Sequence, residues 1–216
     1  MKNANNNLKG EVFIKNVIFF IIVCLTIGCA QERASLDLKQ YDVISEVFDA
    51  DEIVQLKGII LFVDSLILSK ESTIDVNMAY HNYFEYIASS TNHEMLNRRY
   101  ALDSMCIVEF VGSLKGKSVF DEIWKIEKGL SIDRKNVISE SLVFNLKGKY
   151  LKFLKLFANG NPSIKYYYES NKTIGGFCPH ASAIFISEHQ QYDFNNVVLR
   201  LIASVHIISV KYDKKL

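Results

Sequence analysis

Apolar positions along the chain recur mostly at intervals of three and four, the spacing that lines one face of a helix. Ile53, Leu56, Ile60, Val63 and Ile67 form one such stripe. Asp49-Ala50-Asp51-Glu52 ahead of it is a helix entry, with acids where the helix dipole favours them. Thr73 is expected to cap a second helix, whose stripe is Val76, Tyr80, Phe84 and Ile87. Leu102, Cys106, Ile107, Phe110, Val111 and Leu114 make a third face, ended by Gly116. Ser118 with Asp121 is expected to form a capping box for a helix carrying Val119, Ile123 and Trp124 and closing at Gly129. Residues 131–144 fit a short helix or an extended piece. Leu146, Tyr150, Leu151, Leu154 and Phe157 share a face, and Asn159-Gly160-Asn161-Pro162 breaks the chain. Residues 164–170 fit helix or strand, and the TIGGFCPHAS stretch is expected to be loop. Val198, Leu201, Ile202, Val205 and Ile208 predict a last helix, with a strand as the alternative because of their β-branched content. The expected fold is mostly α, an irregular helical bundle with minor β near the C-terminus and a loop-rich patch near residues 158–193.

The first residues break this pattern. A polar leader with Lys2, Lys9 and Lys15 precedes the apolar run VIFFIIVCLTIG and then Cys29. The run is shorter than the roughly 20 apolar residues of a membrane-spanning helix, and it has the size of a secretory signal core. Gly28-Cys29 resembles the cleavage site of bacterial lipoprotein signal peptides, with Thr26 at the usual leucine position and Leu25 one place earlier. The resemblance covers residues 1–29 and implies that Cys29 is acylated and becomes the mature N-terminus. It divides the chain into a cleaved signal peptide (1–28), a lipidated cysteine and tether (29–38) and a single helical domain (39–216). Ala30 after the cysteine implies, by the same resemblance, sorting to the outer membrane. An uncleaved anchor or an ordinary apolar N-terminal helix is the alternative.

Composition adds limits. The chain has 216 residues, 49% hydrophobic and 23% charged, enough for one domain with a core. Losing Lys2, Lys9, Lys15 and Glu11 with the leader turns a formal charge of +1 into −1. That balance exerts no overall pull on nucleic acid, so none is expected as a partner.

Candidate chemistry is sparse. Gly116-Lys117-Ser118 suggests a phosphate loop, but the preceding apolar run is a helix face rather than a strand. Val111 also stands where the first glycine of that motif is required. No nucleotide is expected. Cys178-Pro179-His180 has the residue types of a nucleophile and a base, but positions two apart are poorly placed to share a proton, and a packed loop is favoured. Cys106, on an apolar face, is expected to be a buried thiol. With Cys29 acylated outside the cytoplasm, Cys106 and Cys178 make an even pair that an oxidising compartment can bond. His81, His93, His180, His189 and His206 form no H-x-x-x-H or H-E-x-x-H pattern, and no cysteine pair has zinc spacing. His93-Glu94 lacks a second histidine, and His206 is expected to be a satisfied core residue. No catalytic set, cofactor or metal is therefore assigned. The lysines 147, 149, 152 and 155 suit a solvated helix face, with lipid phosphate contact as the alternative. Tyr80, Tyr83, Phe84, Tyr86 and Tyr166 to Tyr168 suit core packing, with a ligand or partner groove as the alternative. The expected function is a lipid-anchored cell-envelope protein that binds or scaffolds an envelope partner. The alternative is a small hydrolase whose site uses Cys178, His180 or a Glu–His pair brought together by folding.

Overall fold

The computed structural model describes residues 36–89, 102–130, 138–212 and 214–215. The leader, Cys29 and the tether up to residue 35 lie outside them. The chain divides into Met1–Leu36 and Asp37–Leu216, and the fold below is that of the second unit. It is mostly α-helical with a small sheet. In order come a 3-10 turn (Leu38–Gln40), α1 (Asp42–Ser45), α2 (Ala50–Leu68), α3 (Val76–Ser89), α4 (Ser104–Leu114) and α5 (Ser118–Ile123). β1 (Trp124–Leu130) and β2 (Ile138–Phe144) follow, then α6 (Lys149–Phe157), α7 (Pro162–Ile174) and α8 (Pro179–Ser187). A 3-10 turn (His189–Gln191), α9 (Val197–Lys211) and β3 (Lys214–Lys215) complete the order.

α2 begins as its sequence dictates. The Asp49 side chain accepts from Glu52 N and the Glu52 carboxylate accepts from Asp49 N, both at 2.9 Å, a reciprocal capping box. Asp75, not Thr73, caps α3: its carboxylate accepts from Met78 N at 3.0 Å, while Thr73 Oγ1 only accepts from Asp75 N. The expected Ser118–Asp121 box is absent. Lys117 holds the cap position of α5 without a side-chain bond, and Gln55 of α2 accepts from Val119 N at 3.2 Å instead. A tertiary acceptor has replaced the local one.

The helix expected to run through Trp124 to Gly129 is a strand. β1 pairs antiparallel with β2, Trp124 opposite Phe144 and Ile126 opposite Leu142, and Lys214–Lys215 adds a third strand to β2. Burial along β2 alternates, with Glu140, Leu142 and Phe144 inward. Period-two burial needs a partner strand, and the pairing wins over the helix start beside it. Residues 158–193 are also not loop-rich. Asn161 and Pro162 start α7, Gly175 ends it in the left-handed conformation (φ 84°), and Cys178 and Pro179 start α8.

α9 is the centre of the core, buried from Val197 to Ser209. A helix apolar all round belongs inside. Its polar residues each face a different neighbour. Arg200 pairs with Asp64 of α2 at 3.6 Å, and Ser204 meets the Tyr80 hydroxyl of α3 at 3.0 Å. His206 lies between Tyr167 of α7 (3.1 Å) and Ser182 of α8 (3.3 Å), and Ser209 accepts from Trp124 Nε1 of β1 at 2.8 Å. Slipping or turning α9 would strand several buried polar groups at once, so these contacts fix its register.

Candidate functional site

The residues singled out from the sequence are scattered. Gly116-Lys117-Ser118 joins α4 to α5 as a helix–turn–helix, with Gly116 at φ 85°. The amide at the start of α5 is already engaged by Gln55. Cys106 is exposed, against expectation: it sits on the first turn of α4 and its thiol donates to Asp103 Oδ2 at 3.5 Å. That hydrogen bond to a carboxylate pushes the thiol pKa up. Cys178 is buried, and both thiols are free. Cys178 Sγ accepts from Ala181 N at 3.5 Å and its amide donates to the buried Asn171 Oδ1 at 2.7 Å. It is a helix cap. His180 is exposed on the first turn of α8, with its ring edge-on to Tyr166, so no nucleophile–base pair is assembled there. His93 and Glu94 lie outside the described residues, as does Cys29.

Tyr80, Tyr83, Phe84, Tyr167 and Tyr168 are core residues. Lys149 is an anchor: its ammonium donates to both oxygens of the buried Glu52 at 2.6 and 2.7 Å, tying α6 to the start of α2. Lys152 lies 3.9 Å from Glu46, an exposed pair that contributes little. His206 is a satisfied core histidine, ringed by Phe84, Phe177, Phe185 and Tyr167. Burial drives its pKa down to about 3, so it is neutral under ordinary conditions.

One chemically organised cluster was not read from the sequence. It spans α3 and the turn at 189–191. His189, almost fully buried, has its Nε2 3.1 Å from Glu85 Oε2 and its Nδ1 3.1 Å from His81 Nδ1. The two ring centres are 5.4 Å apart, about the N···N distance plus a ring radius at each end. The nitrogens therefore aim at each other rather than converging on a third point, which is a hydrogen bond and not a chelating pair. Among the described residues no group of three His, Cys, Asp or Glu is arranged to hold a metal ion.

Proton balance orders the chain. A carboxylate only accepts, so His189 Nε2 carries the hydrogen toward Glu85. With both rings neutral, His189 accepts at Nδ1 and His81 Nδ1–H is the donor. The remaining lone pair, on His81 Nε2, belongs to the half-buried ring of the two. Burial first, and then His189, lower the His81 pKa, while Asp193, Asp75 and the Tyr192 carbonyl act against them. Phe194 packs edge-on to His81, and Phe84 lies against His189. Chemically, the arrangement is a proton-accepting nitrogen backed by a second imidazole and a carboxylate. Half of it was visible, since His81 and Glu85 are four apart on one helix face. His189 lies more than a hundred residues away, and only the fold delivers it.

No family model, curated protein or solved structure matches the chain.

Proposed function

We propose that this chain is a lipid-anchored cell-envelope protein, held to the membrane through an acylated Cys29, whose helical domain binds or scaffolds a protein partner. The observation that carries the reading is the leader: a basic start, a short apolar run and Gly28-Cys29. A compact unit beginning at Asp37, a short distance after Cys29, agrees with an anchor, a tether and a separate domain. Among the described residues no helix is long and apolar enough to cross a membrane. The outer membrane is the proposed destination, from Ala30. The test is fractionation with fatty-acid labelling. The wild-type protein is expected in the membrane fraction carrying label, and Cys29→Ser is expected to lose the label. Equal labelling of both sinks the anchor. Cross-linking in intact envelopes tests the scaffolding role, which predicts discrete heavier species containing this chain.

A second reading, a small hydrolase, is favoured by one observation. Glu85, His189 and His81 form a directed chain ending in an imidazole lone pair, the arrangement a general base requires. Under that reading, His81→Ala abolishes hydrolysis of ester or amide substrates by the purified domain. Under the scaffold reading there is no hydrolysis for it to abolish.

A further inference from the structure

We propose that His81 and His189 form an acid-operated clasp, which pins the turn at residues 189–191 to α3 at neutral pH and releases it when both rings are protonated. Proton counting carries the argument. In the neutral pair one hydrogen lies between the two Nδ1 atoms and another lies between His189 and Glu85. A first added proton, on either ring, leaves both bonds intact. After a second, both Nδ1 atoms carry hydrogen. Two N–H groups on two cationic rings then face each other across 3.1 Å, with no acceptor between them. Like charges at that distance, with one ring buried against aromatic side chains, repel strongly.

The surroundings draw protons in. The charged groups facing the pair are acidic: Glu85 on α3, Asp75 just before it and Asp193 just after the pinned turn, with the Tyr192 carbonyl beside His81. Glu188 adjoins His189 along the chain. Phe194 ties the following residues to α3 separately. Phe194 N donates to Asn77 Oδ1 at 2.7 Å, and the Phe194 ring stacks on Tyr80 with centroids 5.0 Å apart. Phe194 is itself fully buried against Tyr80 and Phe84, so ejecting His189 frees only the turn at 189–191, while Phe194, α9 and the core behind them stay in place.

The test is amide hydrogen exchange of the full-length protein between pH 7.5 and 5, corrected for intrinsic rates. The reporter is Tyr192, whose amide donates to the His189 carbonyl, referenced to the Phe194 and α9 amides so that global loosening cancels. Below the ordinary histidine value of about 6.5, one extra proton bound on opening makes opening about tenfold easier per pH unit, until the closed pair takes that proton itself. Wild-type protection at Tyr192 is expected to fall on that slope, with Phe194 unchanged. His81→Gln, which keeps a neutral amide beside His189, is expected to give a pH-independent profile, whatever its starting level. A flat wild-type profile, or the same slope in His81→Gln, overturns the clasp.

Discussion

Acid should destabilise this domain through one buried side chain, His206. Folded, its ring is enclosed by aromatic neighbours, bonded to Tyr167 and Ser182, and held neutral down to about pH 3. Unfolded, it titrates at its ordinary value of 6.5. Above that value the ring is neutral in both states and contributes no pH dependence. Below it the unfolded chain binds a proton that the folded one refuses, so stability falls with pH until the folded pKa is reached. Each unit is worth about 1.4 kcal/mol, so pH 5 removes about 2 kcal/mol relative to neutral pH. That is a large part of the margin of a typical domain. His81, also lowered, acts with the same sign.

The assay is urea unfolding at several pH values for wild type and for His206→Gln, an uncharged residue with a donor and an acceptor of its own. The variant starts less stable. Its decline between pH 6.5 and 5 should be shallower than that of the wild type by about 2 kcal/mol. Parallel curves would refute the reasoning, because they would mean that the buried ring either takes a proton freely or is never exposed on unfolding.

Other perturbations probe the packing. A Cβ at Gly148 would run into the Glu122 backbone carbonyl, so Gly148→Ala should cost about 1–3 kcal/mol in chemical denaturation. Lys149→Ala leaves the buried Glu52 carboxylate without its bidentate partner. Because Lys149 is partly exposed, the cost should be about 2 kcal/mol, below that of breaking a fully buried pair. Maleimide labelling with peptide mapping should modify Cys106 in the native domain and Cys178 only after unfolding. Asp103→Asn should speed the Cys106 reaction by removing the carboxylate that holds its proton.

The helical faces were legible where the apolar stripe is long and its entry chemical. Ile53 to Ile67 behind the Asp49 box is such a case, and α9 is another despite its β-branched residues. The hairpin was not legible, because Trp124 and Ile126 signal a strand only once Phe144 and Leu142 lie opposite them. The capping of α5 misled for a similar reason, since its acceptor comes from Gln55 on another helix. Cys106 lies just after the start of α4, where the face that its neighbours suggested still opens to solvent. The Glu85–His189–His81 chain joins an ordinary i, i+4 pair to a distant turn residue, and no local pattern marks the union.

The lipid anchor is tested most directly by the intact mass of the native protein extracted from its membrane fraction. The account predicts a mass equal to residues 29–216 plus a lipid adduct, with the adduct mapping to Cys29. A full-length, unmodified mass would contradict it.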